Sequence, residues 1–182
     1  MENTLRKTAI TLSKEAGFVL IATVCAVILP QVCHGLGGWL GVGGALGQSF
    51  LPMYLPVLLI GFLRGKVSGL VSGLLAPLVS FALTGMPGAA LLPFVTLELA
   101  VSGLTAGVLR EAKIPAVLRV LSVQLIAKAV RLTTFAIAFG VMNGGVTMAA
   151  VFDGVLVSLP GVALQLVLIP LVIRMRGREN DV

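Results

Sequence analysis

Charge is scarce in this sequence. Only 11% of its 182 residues are Asp, Glu, Lys or Arg, against roughly 25% in an ordinary soluble domain. Histidine occurs once, as His34. There is no Ser/His/Asp set and no HExxH zinc helix, so the sequence predicts no enzyme, no catalytic residues, no cofactor and no metal. The Gly41-Val-Gly43-Gly44 run follows no strand and fails the context of a phosphate loop, so no ATP site is expected. Cysteine occurs twice, as Cys25 and Cys33. Eight residues along a helix is roughly 12 Å, beyond disulfide reach. The adjacent Cys33-His34 pair alone is a weak metal signal. Aromatics make up 5%, with one Trp and one Tyr, which disfavours extensive ring stacking on a ligand.

Apolar residues fill the space. They make up 58% of the chain, and the mean hydropathy is +1.09. A soluble fold of this size has no way to hide that surface, so the expected solvent is lipid. The net charge of +6 does not indicate nucleic acid. The basic residues fall in small groups between apolar runs, with no basic domain and no interleaved aromatics.

The apolar runs predict an all-α bundle of about six transmembrane helices forming one membrane domain, residues 1–182. The spans are read as Ala16–Val32, Gln48–Leu63, Val67–Leu83, Ala89–Leu109, Ile114–Met142 and Val146–Ile173. Arg6, Lys7 and Lys14 precede the first run as in a signal peptide, but no small-residue cleavage site stands out. The run is therefore read as a retained span after a cytoplasmic segment, residues 1–15. The second span is short and carries Pro52 and Pro56, so it is expected to be broken or partly re-entrant.

Lys and Arg then set the orientation. They cluster before span one, at Arg64 and Lys66, at Arg110, Lys113 and Arg119, and in the tail from Arg174. The connections around 33–47, 84–88 and 143–145 carry none. With both termini in the cytoplasm, every connecting cation lies inside. Gly61, Gly65, Gly69 and Gly73 recur every four residues, as do Gly103 and Gly107. That spacing lets helices approach closely, inside the bundle or against a partner. Residues 35–47 read as a glycine-rich outer loop, with Trp39 as an interfacial anchor.

Four ionisable residues fall inside apolar spans: Glu98, Lys128, Arg131 and Asp153. Each is costly in a bilayer unless paired or wet, so each is a functional candidate. All four lie in the outer half or near the midplane. Gln124, Lys128 and Arg131 share one helix face. Two readings stay open. One is a pocket open to the outside, in which Arg131 and Lys128 take a carboxylate. The other is a pair of buried salt bridges, Glu98 with Lys128 and Asp153 with Arg131.

The chain resembles the substrate-binding (S) subunits of energy-coupling factor vitamin transporters. The size and the six-span plan match. Ala22-Thr-Val-Cys-Ala26 looks like the AxxxA signature of that family. The stretches Leu51–Gly69 and Leu75–Pro87 are similar to its second and third helices and the outer loop that follows. The resemblance implies high-affinity capture of a water-soluble vitamin from outside a bacterial cytoplasmic membrane. It implies docking, through Ala22 and Ala26, on a transmembrane coupling subunit that works with two cytoplasmic ATPases. The expected substrate site is Arg131, Lys128, Glu98, Asp153, Gln124 and His34, with the 33–47 loop closing over it. The cations favour an anionic or carbonyl-rich ligand, pantothenate first and biotin second. A stand-alone proton-coupled transporter and a ligand-free membrane assembly protein are the alternatives.

Overall fold

The computed structural model describes residues 2–43, 45–142 and 157–179. Among them there is helix and turn but no strand. The helices are α1 (Glu2–Trp39), α2 (Ala45–Phe50), α3 (Tyr54–Arg64), α4 (Lys66–Thr84), α5 (Leu92–Val108), α6 (Ala116–Met142) and α7 (Leu159–Glu179). A 3-10 turn, Leu109–Glu111, follows α5. Five of these helices are long and apolar enough to cross a membrane, and α3 is a shorter apolar helix. The chain is a multi-pass helical bundle.

One expectation needs correction. Helix α1 runs through the supposed outer loop, so Cys33, His34 and Gly35 are helical and the turn begins only after Trp39. Glycine is tolerated in helices that cross lipid far better than in soluble ones, because breaking the helix there frees backbone groups with no water to satisfy them. Helix α1 also starts at Glu2, well before the apolar run. The sixth predicted span begins in residues outside the description, and its described helix starts at Leu159.

The predicted break in span two is present. Helices α2 and α3 are separated at Leu51, whose φ is 46°. A left-handed conformation is strained for a leucine and persists only where its surroundings hold it. The surroundings here come from α7. Gln165 Nε2 donates to the Leu51 carbonyl at 3.5 Å. A Cβ on Gly161 would meet the Phe50 carbonyl group, so α7 lies directly against the break. Helix α3 has 11 residues, roughly 16 Å, half the apolar thickness of a bilayer.

Glycine spacing built the centre. Helices α3 and α4 turn on a single residue, Gly65, whose φ of 104° suits only glycine. The two then pack on α5. A Cβ on Gly69 would overlap the Gly103 carbonyl, and one on Gly103 would overlap the Gly69 carbonyl. Gly73 meets Leu99 and Gly107 meets Lys66 in the same way. The glycine faces are therefore spent inside the bundle. Around them Val57, Leu58, Leu99, Ala106, Val120, Val123 and Ile169 form one fully buried core. Large apolar side chains such as Leu20, Leu125 and Val167 stay exposed on the outside, as a lipid-facing surface requires.

Candidate functional site

The site grows from the buried carboxylate of Glu98. Helix α5 places it against α3 and α6, and it is 1% exposed. Lys128 Nζ lies 3.1 Å from one carboxylate oxygen and Arg131 Nη1 lies 3.4 Å from the other. Both cations stand on α6 at the three-residue spacing that puts them on one face. Lys128 also sits 5.4 Å from the centre of the buried Tyr54 ring, and Arg131 lies 5.8 Å from the Phe135 ring. Phe135 stacks on Phe94 with centroids 4.5 Å apart. Aromatic faces favour such cations electrostatically.

Beside this cluster is a cavity of about 270 Å³ at the end of the bundle where α1 finishes and α5 begins. Its wall includes Gln31, His34, Tyr54, Ser80 and Arg131, with Leu51 and Pro52 from the helix break. Three of these residues carry a buried polar atom with no partner among the described residues: Gln31 Nε2, Ser80 Oγ and Arg131 Nε. Each is able to donate a hydrogen bond. Buried donors are rarely left unpaired. Among the described residues, the cluster sets one carboxylate against two cations, so one positive charge stands uncompensated beside the cavity.

The predicted residues divide accordingly. Arg131 and His34 line the cavity. Glu98 and Lys128 form the ion triad with Arg131 behind the wall. The expected pairing of Glu98 with Lys128 is present, and Glu98 also takes Arg131. Asp153, the predicted partner of Arg131, lies outside the described residues. Gln124 is not on the cavity wall. It turns to α7, where its amide donates to the Gln165 carbonyl oxygen. Ala22 and Ala26, the predicted docking pair, are 9% and 0% exposed. They pack within the chain, because small residues on α1 let α3 and α4 approach it. Cys25 and Cys33 are both free. Among the described residues no His, Cys, Asp and Glu side chains cluster as metal ligands.

Sequence reasoning passed over Gln31, Tyr54, Ser80 and Gln165. Gln165 is an amide in an apolar run, but it has no charged neighbours at helical spacing to single it out, as Lys128 and Arg131 single out Gln124. It is fully buried and ties α6 to the strained Leu51 carbonyl. Gln165→Leu leaves that carbonyl and the Gln124 amide unpaired. We expect it to cost about 2 kcal/mol, measured by denaturant unfolding in mixed micelles. Adding Gln124→Leu to that variant should cost little more, because the two amides act as a unit.

No family model matches the chain, and neither a curated protein nor a solved structure matches it. Fold and site together define a multi-pass helical membrane protein with a mainly apolar cavity near one end, into whose wall a few polar groups and the Arg131 cation are set.

Proposed function

We propose that the chain is the substrate-capture subunit of an energy-coupling factor type importer in a bacterial cytoplasmic membrane. Its termini lie in the cytoplasm and its cavity opens to the outside. It takes a small anionic, carbonyl-rich nutrient, with pantothenate the first candidate and biotin the second. The observation that carries this reading is that, among the described residues, one cation beside the cavity has no counter-charge and the donors of Gln31, Ser80 and Arg131 have no partner. A carboxylate answers the charge, and amide or hydroxyl oxygens answer the other donors. The volume, about 270 Å³, lies just below the usual range of ligand pockets, which starts at about 300 Å³. Vitamin-sized molecules suit that size.

The sequence offers no ATP motif, so transport energy comes from a coupling subunit and its ATPases. That subunit meets the chain along the groove of about 430 Å³ that Ala22 and Cys25 help to line, between α1 and α3. Ala26 is covered and contributes only by letting the helices pack.

The test is a thermal-shift screen of the detergent-purified protein against water-soluble vitamins. A ligand that binds only the folded state raises the melting temperature. One vitamin should do so strongly, and Arg131→Ala should abolish its effect. A folded protein that no vitamin stabilises would overturn the reading. One observation favours a second reading, a membrane assembly protein with purely structural charges: Glu98 holds both cations by itself. That reading predicts no response in the same screen.

A further inference from the structure

At the end of the bundle away from the candidate site, charge collects where α3 turns into α4. A cavity of about 470 Å³ lies there, and four of its eight wall residues are charged: Arg64, Lys66, Arg110 and Glu111. Glycine brings them together. A Cβ on Gly107 would strike the Lys66 backbone, so the end of α5 lies directly on the start of α4. Arg110 folds back over the turn, with Nη1 3.7 Å from where a Cβ on Gly65 would stand. Arg119 braces the segment that carries it, donating to the Arg110 carbonyl at 2.7 Å and to the Ile114 carbonyl at 3.0 Å. The charges do not cancel. Arg64 is taken by Glu15, to which Nε donates at 3.1 Å and Nη2 donates as well. Among the described residues, Lys66 and Arg110 have no ion-pair partner, and neither has Glu111. Two unpaired cations and one unpaired carboxylate therefore share this cavity.

A long apolar groove adjoins it. The groove, of about 830 Å³, runs between α1 and α4. Its α4 side is Val67, Val71, Leu75, Val79 and Leu83, and its α1 side falls within residues 12–28. The five α4 residues recur every four positions, so they form one stripe, roughly 24 Å long. Val67, Leu75 and Leu83 are 66%, 41% and 72% exposed, so the groove opens onto the lipid-facing surface. Two observations join the groove to the charged cavity. Val67 stands on both walls. Glu15 of the groove wall is ion-paired with Arg64 of the cavity wall.

We propose that cavity and groove together hold one anionic phospholipid, of the phosphatidylglycerol type. Charge complementarity selects this occupant. A helix of a partner or of a second copy would fill the groove and leave the cations unanswered. A soluble phosphate would answer the cations and leave the groove empty. A phospholipid meets both, and basic pockets between membrane helices suit its headgroup. The phosphodiester takes Lys66 as a point charge and Arg110 as a planar fork. The glycerol hydroxyls of the headgroup donate to Glu111. One acyl chain lies along the α4 stripe. The site stands on these residues alone and does not need the cavity at the other end to take a vitamin.

The test is thermal unfolding of the full chain, stripped of lipid in mild detergent. It is titrated in mixed micelles with dioleoyl phosphatidylglycerol or dioleoyl phosphatidylcholine, which differ only in the head. A lipid bound by the folded state raises the melting temperature with its concentration. Phosphatidylglycerol should reach half its effect at about one tenth the mole fraction that phosphatidylcholine needs, because two cations meet its net charge. Lys66→Gln with Arg110→Gln should remove that preference. Both side chains are exposed, so the variant keeps its fold. Leu75→Trp, which fills the groove from its open side, should weaken the response to both lipids. Equal responses in the unmodified protein, or a preference that survives in the double variant, overturn the proposal. An equal response to glycerophosphoglycerol, the head without chains, also overturns it and assigns the cavity to a soluble phosphate compound. A dimer on size-exclusion that Leu75→Trp breaks, with no response to either lipid, gives the groove to a second copy instead.

Discussion

Glu98→Gln should destabilise the bundle by about 3 kcal/mol, because it strips the counter-charge from two cations in a membrane core. Lys128 and Arg131 are only 13% and 20% exposed at their side chains, so water does not simply replace the carboxylate. Glutamine keeps the shape and one acceptor oxygen, which isolates charge from packing. The expected result is a large loss in denaturant unfolding in mixed micelles. A partner change should recover part of it. Glu98→Gln combined with Lys128→Met leaves one cation in place of two, and should be more stable than Glu98→Gln alone. If Glu98→Gln is neutral, the cations are hydrated through the cavity and the triad is not holding α5 to α6.

The second large effect lies in the glycine interface. Gly103→Val should abolish the folded, monodisperse species on size-exclusion in detergent. A Cβ at Gly103 overlaps the Gly69 carbonyl, and Val57 Cγ1 stands 3.0 Å away on another side. Backbone on one side cannot rotate out of the way as a flexible side chain does. Overpacking in a close-packed core ordinarily costs about 1–3 kcal/mol, occasionally more, and here the obstacle is main chain. Gly38→Val is the contrast. Nothing lies within 4 Å of a Cβ there, and the substitution should leave the protein folded.

These two results rest on features that differ in how far the sequence disclosed them. The four-residue spacing of Gly61, Gly69 and Gly73 announced a close helix contact, because small side chains at that interval line one face. It did not name the partner, since a spacing defines a face and not what covers it. The structure supplies Gly103 and Leu99 as the partners. Likewise, Lys128 and Arg131 at one helix face beside a lone Glu98 were legible as a buried polar cluster. That a single carboxylate takes both cations was not, because it depends on how α5 turns relative to α6.

The remaining differences have local causes. Residues 35–39 look like a loop when glycine is judged by its behaviour in water, yet they continue α1. In lipid the backbone's need for internal hydrogen bonds outweighs glycine's helix cost. Pro52 marked the break between α2 and α3, but the strained residue is its neighbour Leu51. What holds Leu51 is Gln165, more than a hundred residues away in sequence, and no local pattern connects them. Ala22 and Ala26 show the limit of a short motif. Two alanines four apart fit a docking face and an internal packing face equally well; here Ala26 is fully covered, while Ala22, 9% exposed, reaches the groove beside α3.

The central claim is that the cavity beside Arg131 holds a small anion. Native mass spectrometry of the protein, extracted from membranes in mild detergent, tests it most directly. The account predicts a second peak, heavier by the mass of one vitamin-sized molecule, that disappears in Arg131→Ala while the protein stays folded. A single bare-mass peak for both proteins, persisting after incubation with the water-soluble vitamins, would contradict it.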